Sequence, residues 1–161
     1  MKIYYREKSG GIEILRCFGI EGRVEIPGMI DDKLVISAAP YAFSSHMDEK
    51  EDLKNASLWE VSDGLEFGRE EHVLAGNDVE EIVFPYTLKE IGRYIFYGCG
   101  NLKKLEFSDS LMQIGCGAFT GCHALEKLTV HMRQGKKSGV KEMLGEMWQR
   151  IDVNFLYEYE E

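Results

Sequence analysis

Cysteine and histidine are the side chains of this sequence that could bind a metal or attack a substrate. The chain has four of each: Cys17, Cys99, Cys116 and Cys122, and His46, His72, His123 and His131. Structural zinc sites are built from compact pairs such as C-x-x-C, and the sequence contains no such pair. The spacing therefore predicts no metal site.

The histidines also lack the neighbours that covalent catalysis requires. A nucleophilic cysteine must lie within hydrogen-bond reach of its histidine. Cys122 and His123 are adjacent, but adjacent side chains on an extended turn point apart. The motifs G-x-x-x-x-G-K-S/T, G-x-G-x-x-G, H-E-x-x-H and G-x-S-x-G do not occur. We expect no catalytic residue, no cofactor and no enzyme activity; a hydrolase hidden in insertion loops is the enzymatic alternative.

The elements that would position these side chains follow from a repeat of 23 residues. The pattern V-x-x-I-x-F at 79–84 returns as L-x-x-L-x-F at 102–107 and as L-x-x-L-x-V at 125–130. A period of roughly 20 to 29 residues on such a pattern is typical of leucine-rich solenoids. The sequence therefore predicts a mostly β solenoid with short helical turns, wound as a right-handed stack of coils.

The register also covers the turns between strands. The matched pairs are Gly92 with Gly115, Phe96 with Phe119, and Cys99 with Cys122. The phenylalanine should fill the centre of each coil, so we expect Phe119→Ala to cost about 3–5 kcal/mol. The two cysteines should stack about 5 Å apart. That spacing suits buried small hydrophobic side chains, and it leaves a disulfide or a metal site as alternatives.

The turns carry a resemblance to a known family. F-Y-G-C-G-N-L at 96–102 and F-T-G-C-H-A-L at 119–125 resemble the A-F-x-G-C-x-x-L core of BspA-type leucine-rich repeats, with the strand and turn of 82–92 also similar. The resemblance covers roughly residues 12 to 130. It implies a solenoid and, because some family members are surface adhesins of bacteria or protozoa, it implies adhesion or ligand binding as one function.

The repeats divide what we predict to be a single domain of residues 1–161. Ala56, Trp59 and Val61 precede the 79–84 pattern by one period and indicate a degraded copy, and residues 24–55 indicate an interrupted one. The predicted parts are an N-terminal hairpin cap at 1–23, an interrupted first coil at 24–55, coils at 56–78, 79–101 and 102–124, a last strand at 125–130, and a C-terminal cap at 137–156.

The two ends are predicted to close the core. Residues 3–7 and 12–18 form a hairpin around a glycine-rich loop. A helical stripe of apolar residues runs through 140–151, with Ser138 as its N-cap, and residues 152–156 add a strand. Alternatively the stripe, which contains methionine and tryptophan, binds a partner. The acidic tail at 157–161 is expected to fray.

Composition restricts the partners. The chain has 161 residues, 44% apolar, and a net charge of −9. Nucleic acid and anionic membrane attract clustered Lys and Arg, and no apolar run approaches the roughly 18 residues of a membrane span. The start is no signal peptide. We expect a monomer with a protein partner, neither nucleic acid nor membrane, in the cytoplasm, or at the cell surface if an export signal precedes the chain.

Outward strand positions supply the candidate binding surface. In-register parallel strands bring equivalent side chains together in rows, where opposite charges pair laterally. The predicted partner-binding face consists of Leu58, Glu60, Glu80, Glu81, Val83, Lys103, Lys104, Glu106, Lys127 and Thr129. A merely solvated sheet is the alternative, and the acidic insertion at 48–52 is a second candidate surface. The expected function is a non-catalytic protein-interaction module, with adhesion and a structural spacer as alternatives.

Overall fold

The computed structural model describes residues 1–19, 22–44, 53–61, 72–73, 78–134, 138–145 and 150–158. These residues are mostly β, with one short helix among them. The elements are β1 Lys2–Lys8, β2 Gly11–Gly19, β3 Arg23–Glu25, β4 Met29–Ile30, β5 Lys33–Ala38, β6 Ser57–Glu60, β7 His72–Val73, β8 Glu81–Val83, β9 Glu90–Ile91, β10 Lys104–Ser108, β11 Gln113–Ile114, β12 Lys127–Met132, α1 Val140–Leu144 and β13 Asp152–Tyr157.

One wall of the molecule is a five-stranded parallel sheet, the front sheet, in the order β3-β8-β10-β12-β13. Its strands pair in register, with Ile82 opposite Leu105 and Leu105 opposite Leu128. These three residues are at most 1% exposed. Alternate residues of a strand point to one face of its sheet, so each 23-residue period adds one strand with the same buried positions. The predicted solenoid is confirmed.

The opposite wall, the back sheet, has the order β11-β9-β5-β2-β1-β6. The two-residue strands β9 and β11 come from successive coils and pair parallel to one another. β1 and β2 form the predicted N-terminal hairpin. Ser9 and Gly10 in its turn have φ of 52° and 81°, and two left-handed residues match the right-handed twist of a hairpin. The hairpin thus continues the back sheet beyond the first coil.

The prediction that residues 56–78 form a coil of their own is wrong. β3 of the first coil pairs directly with β8, placing Val24 opposite Ile82. β6 instead pairs antiparallel with β1, which sets Trp59 opposite Ile3. V-x-I-P at 24–27 matches I-x-F-P at 82–85 more closely than the degraded copy does. β3, whose sequence matches the repeat better, therefore lies beside β8 in the front sheet, and β6 extends the N-terminal cap.

A buried carboxylate joins the cap to the coils. Glu13 on β2 is 2% exposed and accepts hydrogen bonds from Arg6 Nε at 2.7 Å, Lys8 Nζ at 3.0 Å and Ser37 Oγ at 3.0 Å. Lys8 Nζ also donates to Glu90 at 3.2 Å on the second coil. Burial alone would raise the pKa of Glu13, but the Lys8 and Arg6 contacts outweigh it and lower that pKa. The carboxylate is therefore held charged between the hairpin and β5.

Phenylalanines stack through the turns of the three coils. The ring centroids of Phe43 and Phe96 lie 6.1 Å apart, and those of Phe96 and Phe119 lie 5.8 Å apart. Phe43 and Phe96 are fully buried, whereas Phe119 is only partly buried. A cavity of about 410 Å³ lies beside Phe119 at the C-terminal end of the stack. Partial burial at this end position lowers the cost expected for Phe119→Ala.

The C-terminal cap is confirmed in its described parts. Val140 and Leu144 of α1 are buried in the core. The prediction of Ser138 as the N-cap is wrong, because Gly139 occupies that position; Ser138 Oγ, one residue earlier, accepts a hydrogen bond from the Val140 N–H at 3.2 Å. β13 pairs parallel with β12 and ends at Tyr157, one residue later than predicted. The middle of the predicted apolar stripe, residues 146–149, lies outside the described residues. The alternative that this stripe binds a partner stays a prediction.

Replacing the central ring of the stack should destabilise the protein more than replacing the terminal one. We expect Phe96→Ala to lower the free energy of unfolding by about 3–5 kcal/mol, because it leaves a cavity between two coils. Phe119→Ala should lower the free energy of unfolding by about 1–3 kcal/mol, because Phe119 buries less apolar surface than Phe96 does. Urea unfolding measures both, and equal losses would contradict the positions of the two rings in the stack.

Glycine at the corners lets successive coils approach closely. A Cβ on Gly115 would lie 2.2 Å from the Arg93 backbone nitrogen, and one on Gly92 would lie 2.3 Å from that of Pro40. We expect Gly115→Ala to lower the free energy of unfolding by about 1–3 kcal/mol through overpacking. Gly139→Ala is the control, because a Cβ there meets nothing within 4 Å. A neutral Gly115→Ala would show that the coils can move apart.

Candidate protein-binding face

The outward side of the front sheet carries polar side chains in aligned rows, which we call the front face. The first row comprises Arg23, Glu81, Lys104, Lys127 and Asp152, and the second comprises Glu25, Val83, Glu106, Thr129 and Asn154. All ten are exposed or half-buried. Because the backbone of the stacked strands fixes their spacing, these side chains present one continuous surface.

Eight of the ten residues predicted for the binding face lie on or beside the front sheet. Six are in the two rows, and Glu80 and Lys103 stand at the corners just before β8 and β10, where they form an ion pair of 3.8 Å. Leu58 and Glu60 do not join them, because β6 belongs to the back sheet. Arg23 and Glu25 occupy the positions predicted for those two residues. The insertion at 48–52 lies outside the described residues.

Opposite charges pair along the front face. Arg23 Nε lies 3.5 Å from a Glu81 carboxylate oxygen, and Arg23 also contacts Glu25. These side chains are 28 to 65% exposed, and pairs this exposed contribute roughly 0–1 kcal/mol to stability. The charge pattern is therefore available for recognition at little cost to the fold.

A buried histidine lies at the carboxyl end of the front sheet. His131 on β12 is 8% exposed. Its Nε2 contacts a carboxylate oxygen of Glu106 on β10, and its Nδ1 contacts one of Glu158, the residue after β13. Burial alone would lower the pKa of His131, but the hydrogen bonds to Glu106 and Glu158 raise it above its usual value. A charged imidazolium that donates from both nitrogens fits this arrangement.

The two carboxylates approach opposite edges of the imidazole ring. A metal ion would require its ligands to converge on one point, whereas Glu106 and Glu158 are separated by the ring itself. Among the described residues, no group of three or more His, Cys, Asp or Glu side chains is arranged to hold a metal ion. The arrangement is a charged hydrogen-bond chain that joins β10, β12 and the end of β13.

An aromatic side chain and an arginine cover this histidine. The Tyr86 ring lies 5.2 Å from the imidazole, centroid to centroid, and the Arg133 guanidinium lies 4.3 Å above the Tyr86 ring. Arg133 Nε is also 3.9 Å from a Glu158 carboxylate oxygen. The buried Asp109 accepts the backbone N–H of Arg133 at 2.9 Å and that of Gln134 at 2.8 Å. These contacts surround a cavity of about 310 Å³.

No two of the four cysteines are joined by a disulfide in the structure. Cys99 Sγ donates to the Phe43 carbonyl at 3.2 Å, and Cys122 Sγ donates to the Phe96 carbonyl at 3.4 Å, so each bonds to the turn of the preceding coil. Burial, with the neighbouring Cys99, raises the pKa of Cys122 to about 12. The reactive form of cysteine is the thiolate. Cys122 is therefore protonated at neutral pH, which fits a packing role.

The other histidines and cysteines are dispersed. His123 and Cys116 are exposed at turns, and Cys17 is buried in β2. His46 lies outside the described residues, and only the backbone of His72 is described. The described structure brings none of these side chains beside the cluster at His131.

Comparison with known protein families matches residues 70–139 to the BspA type leucine-rich repeat region model. Over this range the chain is similar to the repeats of that family. The match covers the coils of β8 and β10 and the strand β12 that follows them, so the predicted resemblance is confirmed there. Neither curated proteins nor solved structures gave a match. Among the described residues, no helix is long and apolar enough to cross a membrane.

Sequence reasoning missed the cluster at His131. His131 lies 25 residues after Glu106, two more than a full period, so the two are not equivalent positions of the repeat and the repeat pattern does not pair them. Glu158 belongs to the tail that was expected to fray, and that expectation is wrong for Tyr157 and Glu158. The parallel pairing of β13 with β12 is the feature that would have indicated the contact of Glu158 with His131. In that register Tyr157 lies opposite Met132, so Glu158 follows directly after the end of β12.

Removing one carboxylate should lower the pKa of His131. A raised pKa stabilises the fold below the unfolded-state value of about 6.5, and this stabilisation is lost as the pH rises through the higher folded-state pKa. We expect Glu106→Gln to shift the NMR titration of His131 to lower pH and to weaken the fold in acid more than in alkali. Glu126→Gln on the exposed neighbouring corner is the control. An unshifted titration would contradict the pairing.

Proposed function

We propose that this chain is a non-catalytic protein–protein interaction module that binds its partner through the front face. The observation that supports the proposal most is the in-register stacking of five parallel strands, which aligns ten exposed or half-buried side chains in two rows. Solenoids use such extended surfaces for binding. The side chains require no rearrangement to present their charges together.

Residues at the edge of the front face are of the types that dominate binding energy at the centre of protein interfaces. Tyrosine and arginine are over-represented among the residues that dominate binding energy. Tyr86 is 42% exposed and stacks under Arg133, whose side chain is 50% exposed. The pair combines a large apolar ring with a cation that remains accessible. We therefore place the strongest contacts at the carboxyl end of the front sheet, with the charged rows setting orientation.

Adhesion at a cell surface is the second candidate function. The BspA-type match of residues 70–139 supports it, since adhesion is one role found in that family. Both functions use the same surface and differ in the partner, which is either a protein inside the cell or a molecule outside it. An export signal or a wall anchor encoded with this chain would favour adhesion.

A charge exchange on the front face should abolish partner capture without changing stability. Glu81 and Lys104 lie opposite each other on β8 and β10. The Glu81→Lys/Lys104→Glu variant reverses both charges and loses the partly exposed contact of Glu81 with Arg23, which contributes roughly 0–1 kcal/mol to stability. We therefore expect a nearly unchanged melting temperature and loss of the proteins that the wild type recovers from native lysate.

The back sheet offers a matched control. Lys2 and Glu60 also lie opposite each other and form an ion pair of 3.8 Å. The Lys2→Glu/Glu60→Lys variant should capture the same proteins as the wild type. Equal capture by the wild type and the front-face variant would contradict the proposal, and loss of capture in both variants would show that the effect is not specific to the front face.

A further inference from the structure

The carboxylate of Glu158 occupies a site that the rest of the protein builds. It contacts His131 Nδ1 and lies 3.9 Å from Arg133 Nε. Glu158 is the residue directly after β13, and its backbone N–H donates to the Met132 carbonyl at 2.9 Å. The Glu158 carboxylate therefore contacts two cationic residues, His131 on the adjacent strand β12 and Arg133 just after that strand.

The receiving groups are held in place independently of Glu158. Glu106 bonds the opposite nitrogen of His131 and so orients the ring with Nδ1 towards Glu158, which borders the cavity. Asp109 accepts the backbone N–H groups of Arg133 and Gln134, which fixes the segment that carries the arginine. The Tyr86 ring packs against both His131 and Arg133. None of these contacts involves the Glu158 carboxylate.

We propose that this site, the carboxylate pocket formed by Tyr86, His131 and Arg133, binds an acidic side chain from a segment of a protein partner, and that Glu158 occupies it as an intramolecular competitor. The inference rests on the proposed function, because it assigns the partner's chemistry at the edge of the front face. Glu158 shows what fits: a single carboxylate that lies between His131 and Arg133.

The surroundings favour a single carboxylate over a polyanion. The pocket offers two cations, whereas Glu106, Asp109 and Glu158 place three acidic groups around them. A nucleic acid or a multiply phosphorylated segment would need more positive charge than this. The cavity of about 310 Å³ is bordered by the Tyr86 ring, Gln134 and the hydroxyl groups of Ser108 and Ser110. It therefore suits a Glu or Asp with one neighbouring aromatic or aliphatic residue.

Recognition by this pocket should weaken in alkali. The charged and titratable groups that face His131 are Glu106 on β10, Tyr86 after β8, Arg133 after β12 and Glu158 after β13, with Asp109 nearby. Loss of the imidazole proton removes one of the two cations and one donor, while Arg133 stays charged. Binding of a carboxylate should then fall as the pH rises through the titration of His131.

The test compares the full chain with its Glu158→Gln variant. The probe is acetyl-Tyr-Glu-Tyr-Glu-Glu-amide, which copies residues 157–161, and its counterpart has Gln at all three Glu positions. Fluorescence anisotropy gives Kd, and NMR of the His131 ring protons shows whether the peptide reaches the pocket. Glu60→Gln on the back sheet controls for the loss of one negative charge.

We expect Glu158→Gln to bind the acidic peptide at least about fivefold more tightly than the wild type or Glu60→Gln, with a shift of the His131 resonances. The Gln peptide should bind Glu158→Gln about fivefold more weakly than the acidic one, and Arg133→Gln added to Glu158→Gln should remove the gain. Arg133 is half exposed, so this second variant should remain folded, which its melting temperature checks.

Equal affinities of the wild type and Glu158→Gln, or equal affinities of the two peptides, would overturn the carboxylate pocket. So would the absence of measurable binding to a folded Glu158→Gln variant. These outcomes are separate from the proposed function: partner capture that depends on Glu81 and Lys104 can persist when the peptide does not bind. Loss of both results would instead remove the interaction module itself.

Discussion

No coil of this protein can bury its apolar side without a neighbour. A 23-residue period supplies one short front strand, a two-residue back strand and one central aromatic ring, and each of these is covered by the coil before it and the coil after it. Close stacking requires glycine where two corners touch, as at Gly92 and Gly115. The same stacking fixes the rows of the front face, so the candidate binding surface exists only while neighbouring coils remain paired.

The two ends meet this requirement with different means. At the N-terminus an antiparallel hairpin lies beside β5 and introduces charge into the interior through Glu13, whose partners come from the hairpin and from the first coil. Such an ionic contact specifies position more than it adds stability. At the C-terminus β13 adds a fifth strand, and the His131 chain joins it to β10 and β12. In both caps charged groups define how an added element aligns with the stack.

The sequence was sufficient for the parts of the structure that repeat. Residues at 79–84, 102–107 and 125–130 share one pattern, and the structure places them in neighbouring strands with identical register. It was insufficient where the pattern is degraded. Trp59 fits the repeat spacing, yet β6 pairs along its whole length with β1 of the hairpin and not with the front sheet. Repeat spacing alone does not predict which of these two strand pairings is more stable. The candidate site divides in the same way: Glu81, Lys104 and Lys127 follow from the period, whereas the contact of His131 with Glu158 depends on a strand outside it.

The direct pairing of β3 with β8 has a consequence for how the chain folds. Paired residues of the other neighbouring front strands are 23 or 25 residues apart, whereas Arg23 lies opposite Glu81 across the whole insertion that contains β6 and β7. Loop-closure entropy grows only logarithmically, so this longer connection costs about 1 kcal/mol more than a single period. This entropic cost applies to one folding step, the pairing of β3 with β8. The strands after Val79 are separated by shorter loops and can pair without β3. We therefore expect the pairing of β3 with β8 to form after the coils that follow Val79, whose strands are separated by shorter loops.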